Sequence, residues 1–365
     1  MKKIHCFTES QAGGGAEHQM NILAGLLAEN GYDVTLVTYA NLPDHYAAPK
    51  NVKRVELGHG HNQLMTFLKT FWYFLWVKTD CVISYRVACN ARVLVPLLFR
   101  PWTKVIACER NLTVEEPTKC GKFVRDFLYY RADAIIPNSF SQEKYLKSLN
   151  KSWKNKVKTI INYTEVDKFA LASIPCEDMV CRICVFARFS KQKNPLGLVS
   201  AIKILKEKSL KPFELHWYGA QNGNVNGYNQ EYLAVKETVE DNGIGDVFII
   251  HPATKDVQGE MCKYEAVCLP SFYEGFSNSV SEGICCGKPM LVSDVSDNSL
   301  MVHEGENGFL FDPTDTDSMV EAFERFLALD RARMDEMGRN SRKIAEKLFD
   351  MNAFVESYVN LIEKP

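Results

Sequence analysis

Two carboxylates, Glu274 and Glu282, stand with seven residues between them in the stretch SFYEGFSNSVSEGICCGKPM, residues 271–290. The apolar run Ala266, Val267, Cys268 and Leu269 ahead of them reads as a strand that ends at Pro270. Behind them, Ser279 to Cys286 has no proline and no β-branched run, and Gly287-Lys288-Pro289 supplies a helix stop followed by a breaker. The acids therefore bracket a strand-to-helix junction, where backbone N–H groups and the positive end of the helix dipole favour an anion. A helix starting near Ser277 puts Asn278 and Glu282 four apart on one face. Carboxylates for sugar hydroxyls and bare amides for a phosphate suit a nucleotide-sugar ligand.

A second strand-to-helix loop, Ala187-Arg188-Phe189-Ser190-Lys191-Gln192-Lys193-Asn194, carries Arg188 and Lys193 five residues apart. A departing diphosphate needs compensating positive charge, which a metal or an Arg plus a Lys can supply. The bland alternative is a solvated basic loop, and Lys191 is the cation expected to stand aside. Acidic first turns are common in helices, so the Glu pair alone also has a purely structural reading.

Residues 271–290 resemble the donor-binding motif of the retaining glycosyltransferases of the GT-B fold, family four. The resemblance implies that Glu274 lies against the donor hexose and Glu282 holds the ribose. Gly275, Phe276, Ser277 and Asn278 would then line the diphosphate and hexose. It also assigns Arg188 and Lys193 to the leaving group, with no metal or other cofactor. His251, at the end of an expected strand, faces the nucleotide in this reading; a packed or exposed histidine is the alternative.

The opening of the chain reads as strand (Ile4 to Phe7), glycine turn (Gly13-Gly14-Gly15), helix, then strand (Val34 to Tyr39). In the family a Gly-Gly loop followed by Glu faces the acceptor, and Gly14, Gly15 and Glu17 match it. Cys108-Glu109-Arg110-Asn111 ends a further strand, where relatives often carry a histidine; Glu109 and Arg110 either serve the site or form a buried Glu–Arg pair. Asn138, in Pro137-Asn138-Ser139, ends the next strand and fits the acceptor side by resemblance.

Strands alternate with helical segments through both halves, which implies parallel, doubly wound sheets. The expected class is α/β, of the GT-B type: two Rossmann-like doubly wound parallel-sheet domains facing a central cleft. Residues 1–164 would bind acceptor, with a C-terminal helix near 346–365 packing back on them, and residues 165–345 would bind donor. The chain has 365 residues, 46% hydrophobic and 24% charged, as for an ordinary globular protein.

Twelve cysteines without framework spacing suggest reduced thiols, and the start MKKIHCFTESQAGGG has no apolar core of a signal peptide. The expected location is cytoplasmic. CxxC at Cys181 and Cys184 lies in an expected strand, whose alternation points the thiols apart and argues against zinc.

The charge is uneven. Residues 1–165 hold 22 Lys plus Arg against 14 Asp plus Glu, a net of +8, although the whole chain is −2. With no nucleic-acid module, an anionic membrane surface is the expected partner of the basic half. The aromatic run LMTFLKTFWYFLWV, residues 64–77, is either a helix packed on the sheet or an interfacial helix that sinks Phe71, Trp72, Phe74 and Trp76 into a membrane. The activity implied is transfer of a hexose or N-acetylhexosamine, UDP-linked by preference, to a saccharide or polyprenyl-linked acceptor. A sugar-nucleotide epimerase of the same fold and a non-catalytic binding protein are the competing classes.

Overall fold

The structure, a computed structural model, describes residues 1–12, 15–40, 47–58, 62–110, 119–171, 180–208, 211–225 and 227–364. It divides into two compact units, Met1–Tyr163 with Met351–Pro365, and Thr164–Asp350.

In the first unit, β1 (Lys3–Thr8), β2 (Asp33–Thr38), β3 (Lys53–Glu56), β4 (Cys81–Tyr85), β5 (Lys104–Glu109) and β6 (Ala134–Pro137) form one parallel sheet in the order β3-β2-β1-β4-β5-β6. Helices α1 (Gly15–Glu29), α2 (Gln63–Trp76), α3 (Val87–Leu97), α4 (Lys119–Phe123) and α5 (Phe140–Leu149) connect the strands, and α4 runs on into a π-helical turn over Val124–Leu128. The inner strands are buried along nearly their whole length because helices cover both faces. Strand order reverses direction between β1 and β4, where Phe7 lies opposite Ser84. Ligands of such sheets bind beyond the carboxyl ends of the strands at this switch point.

The second unit repeats the plan. Strands β7 (Cys181–Phe186), β8 (Phe213–Gly219), β10 (Phe248–Pro252), β11 (Ala266–Leu269), β12 (Met290–Ser293) and β13 (Gly308–Phe311) form a parallel sheet in the order β10-β8-β7-β11-β12-β13, while β9 (Asn222–Val225) stands apart. Its helices are α6 (Pro195–Lys208), α7 (Gln230–Asp241), α8 (Val257–Met261), α9 (Asn278–Cys285), α10 (Thr316–Leu327) and α11 (Arg331–Leu348). Here the switch point lies between β7 and β11. Two parallel six-stranded sheets make this the α/β, doubly wound class that the alternation of strand and helix predicts.

The last helix, α12 (Met351–Glu363), belongs to the first unit. The Tyr358 hydroxyl meets the guanidinium of Arg110 and lies 3.2 Å from the hydroxyl of Tyr85. Phe354 stacks on Tyr163 at 5.3 Å.

The aromatic helix α2 packs one edge on the sheet and leaves another exposed. Phe74 is fully buried and meets Phe7 edge to face at 5.1 Å, so it is core and cannot enter a membrane. Phe71 is half-buried, whereas Trp72 and Trp76 are exposed. Cys181 and Cys184 lie in β7 as free thiols. Among the described residues, no helix is long and apolar enough to cross a membrane.

Candidate active site

The loop after β7 and the loop after β11 leave neighbouring strands at the switch point of the second sheet, and this adjacency brings Lys193 to Glu274. The Lys193 Nζ lies 2.5 Å from Glu274 Oε1, with both side chains largely buried. Backbone and side-chain bonds fix the two loops together: Phe272 N donates to Gln192 O at 2.9 Å, and Gln192 Nε2 donates to Tyr273 O at 2.9 Å. Asn194 ends the cation-bearing turn in the left-handed region, at φ 50°. Its amide donates to Pro313 O at 2.8 Å and its Oδ1 accepts from Gly197 N at 3.2 Å. Gly219, at the end of β8, is required by this packing: a Cβ there would lie 2.6 Å from Ala187 O.

Glu274 is held from a second side. Ser296, itself at φ 53°, donates through Oγ to Glu274 O at 2.6 Å and accepts from Glu274 N at 3.3 Å. Gly275 is half-buried and Phe276 is buried, with its ring edge-on to Phe349 at 6.2 Å. Ser277 is the N-cap of α9, its Oγ accepting from Val280 N at 3.4 Å. Asn278 opens the helix, and the next residue, Ser279, donates through Oγ to Phe186 O at 2.6 Å, tying α9 to the end of β7. The helix stops where the sequence predicts: Gly287 takes φ 67°, Gly287 N donates to Ile284 O and Lys288 N to Gly283 O.

Glu282 lies on α9, half-buried, and no side chain among the described residues pairs with its carboxylate. Burial alone pushes this acid up from 4.5 to about 7. Arg188 is exposed, and no hydrogen bond or ion pair engages it among the described residues. The two cations of the β7 loop thus differ: Lys193 holds an acid and Arg188 points into solvent. Lys191 is exposed as well.

His251 ends β10 beside Tyr218 of β8, their rings stacked at 4.4 Å, and Tyr218 in turn stacks on Phe186 of β7 at 4.8 Å. Its Nε2 lies 2.9 Å from His216 Nδ1. Burial, with the neighbouring His216 adding to it, depresses the His251 pKa. His251 is therefore packed into a three-ring ladder across the strand ends. The sequence reading missed Gln192, Asn194, Ser296 and this ladder; only parallel pairing brings Phe186, Tyr218 and His251 into line.

In the first unit, Gly15 is the first residue of α1, and Gly14 lies outside the described residues. Glu17 is buried and pairs with Arg86, whose other nitrogen reaches Glu9; both contacts are 2.7 Å. Arg86 follows β4 with φ 80°, a strained region for a side chain bearing Cβ. Glu9 and Arg86 went unnoticed in the sequence because they meet only across the switch between β1 and β4.

Glu109 and Arg110 turn out to serve the interior of this unit. The Glu109 carboxylate is 1% exposed and receives Arg125 at 2.9 and 3.0 Å, Tyr129 at 2.7 Å and Gln142 at 2.5 Å. It is one half of a buried Glu–Arg pair, with Arg125 and not Arg110 as partner. That geometry leaves it no face for a ligand, which counts against the catalytic role expected of it. Arg110 lies 4.0 Å over the Tyr85 ring and donates to Asn162 Oδ1 at 3.1 Å. Asn138 is buried beside it, its amide 3.4 Å from Arg110 O.

Among the described residues, no group of three or more His, Cys, Asp or Glu is placed to hold a metal ion. Asp315-Thr316-Asp317 caps α10, Asp315 accepting from Asp317 N at 2.9 Å.

Residues 177–344 match the family model of the glycosyl transferases group 1. Among curated proteins the chain is similar to the N-acetylgalactosamine-N,N'-diacetylbacillosaminyl-diphospho-undecaprenol 4-alpha-N-acetylgalactosaminyltransferase of Campylobacter jejuni, 23% identical over 96% of each chain. It is also 23% identical to the Escherichia coli UDP-Gal:alpha-D-GlcNAc-diphosphoundecaprenol alpha-1,3-galactosyltransferase, over 57% of this chain but only about half (48%) of that enzyme. Its fold is shared with sucrose-phosphate synthase from Thermosynechococcus elongatus (TM-score 0.83, 19% identity, 99% and 98% of the two chains). Anabaena HepE, solved with UDP and glucose, shares it too (TM-score 0.81, 16% identity, 99% of each chain). The family model and the curated relatives support a glycosyltransferase, and the solved structures show the fold.

Proposed function

We propose that this protein is a retaining, metal-independent glycosyltransferase of family four that moves a hexose or N-acetylhexosamine from a UDP-sugar to a saccharide or polyprenyl-linked acceptor in surface-glycan synthesis. The observation that carries the reading is the Lys193–Glu274 pair at the switch point of the second sheet, braced by Gln192 and Ser296. Two relatives are named for acceptors on diphospho-undecaprenol, and one of these is named for UDP-Gal. Those names support the UDP-sugar and lipid-linked acceptor proposed here.

In this reading the donor diphosphate takes charge from Arg188 and Lys193 and hydrogen bonds from the start of α9. As the glycosidic bond to the diphosphate breaks, negative charge grows on the leaving oxygen, and fixed cations lower that barrier more than they tighten ground-state binding. Glu274 faces the hexose and Glu282 the ribose hydroxyls. Arg188 and Lys193 supply the charge that a metal would otherwise bring. The acceptor belongs with the first unit, near Gly14, Gly15 and Glu17, and is presented at an anionic membrane surface on the cytoplasmic side.

The test is a thermal-shift screen of nucleotide sugars followed by product analysis. A UDP-sugar should raise the melting temperature by mass action and give a glycosylated acceptor with the donor's anomeric configuration. Stabilisation by no nucleotide sugar would overturn the reading, and isomerised sugar released without acceptor would favour the epimerase.

A further inference from the structure

Eleven of the twenty large apolar side chains exposed among the described residues belong to three stretches of the first unit: α2, the turn after α3, and α4 with its π-helical continuation to Tyr130. These stretches are neighbours. Helix α3 packs against α2 on one side and against α4 and the π-helical turn on the other, all over the same face of the sheet. The face is therefore one surface assembled from segments far apart in the chain. Trp76 is 75% exposed, Trp102 73% and Phe127 66%, and Phe123 and Phe127 lie ring to ring at 5.4 Å instead of turning inward. An ordinary monomer surface scatters such residues singly; their concentration marks a contact site.

The charge around these rings selects the partner. Among the described residues, Lys69, Lys78, Lys119 and Lys122 are exposed in or beside the three stretches, against the exposed acids Asp80, Asp126 and Asp133, of which Asp80 accepts from Lys3 N and Asp133 pairs with Arg131. Tryptophan and phenylalanine ringed by lysine fit the boundary between lipid headgroups and acyl chains, where rings bury and ammonium groups meet anionic phosphates. A protein partner would need complementary acids and a shaped apolar counterpart, whereas a bilayer needs neither. We propose that this face of the first unit docks on an anionic lipid bilayer, with Trp72, Trp76, Trp102, Phe123 and Phe127 inserting together. The proposal rests on the membrane part of the function argued above, not on its chemistry, and would stand if the enzyme assignment fell.

The experiment is flotation of the full-length protein with vesicles of equimolar phosphatidylglycerol and phosphatidylcholine, and with vesicles of phosphatidylcholine alone, tracking tryptophan emission. The anionic vesicles should carry the protein and shift its emission to the blue, with salt weakening the attachment. Trp76→Ser with Trp102→Ser should loosen attachment about 10-fold, and Lys78→Glu with Lys122→Glu by a similar factor. Both pairs are at exposed positions, so unchanged melting curves would show that the losses are not unfolding. Equal attachment of wild type and the tryptophan variant, or no attachment to either vesicle, overturns the proposal. So does concentration-dependent dimerisation that Trp102→Ser abolishes without any vesicle binding, which would make the face a contact between copies.

Discussion

The ammonium of Lys193 and the carboxylate of Glu274 share a 2.5 Å contact across two loops that the chain separates by 81 residues. The pairing makes each residue answer for the other. Lys193→Ala should slow turnover by roughly 100-fold or more, since it removes charge compensation that grows toward the transition state. Being largely buried, the pair should also show coupling in stability. The double variant Lys193→Ala, Glu274→Gln should melt closer to wild type than Lys193→Ala does, because the lone carboxylate no longer lacks a partner. Additive losses in a denaturation cycle would refute that coupling.

Arg188 should behave differently because nothing in the described structure leans on it. Arg188→Ala is expected to leave unfolding free energy within about 0.5 kcal/mol of wild type, while weakening nucleoside-diphosphate affinity roughly 10-fold through a lost charge-assisted contact. Calorimetric titration with UDP checks it; an unchanged dissociation constant would remove Arg188 from the phosphate site.

Glu282 sets a pH dependence. Its folded pKa is raised from 4.5 to about 7, so the folded state binds the proton more tightly than the unfolded one. The contribution to stability is full below about 4.5 and is lost as pH rises toward 7, a change of about 3 kcal/mol as an upper bound. Glu282→Gln should flatten that part of the melting-temperature profile between pH 4.5 and 7.5. A variant profile that still falls as the wild type does would show that another group is responsible.

Glu109 should prove structural. Glu109→Ala strands the buried Arg125 guanidinium and is expected to cost about 3–5 kcal/mol. Its measure is chemical denaturation. A fully stable variant with abolished turnover would restore the catalytic role that the buried geometry argues against.

The sheets and helices were legible because most strands of the two sheets, β3 (KRVE) excepted, are largely apolar runs of four to seven residues closed by a turn or helix start, and both faces of the sheets are covered. The α9 start, expected near Ser277, falls at Asn278 because Ser277 caps it, and Gly287 ends it locally. What sequence could not supply was pairing across strands. Glu109 met Arg125 rather than its neighbour Arg110 because adjacent residues at a strand end diverge, while the π-helical turn brings Arg125 back over β5. Likewise Arg86 reached Glu9 and Glu17 only through the register of β1 and β4. In α2, the aromatic density was plain, but helical phase alone separated buried Phe74 from exposed Trp72 and Trp76.

The bonds from Gln192 to Phe272 and Tyr273 have one further effect. They remove the wobble between two loops at the moment the chain folds, so a pyrophosphate bound there as proposed need not freeze them itself. Conformational freedom surrendered in folding is then no longer deducted from affinity. Loosening that clasp, as by Gln192→Ala, would be felt as slower and weaker capture of nucleotide although no group that touches it had changed.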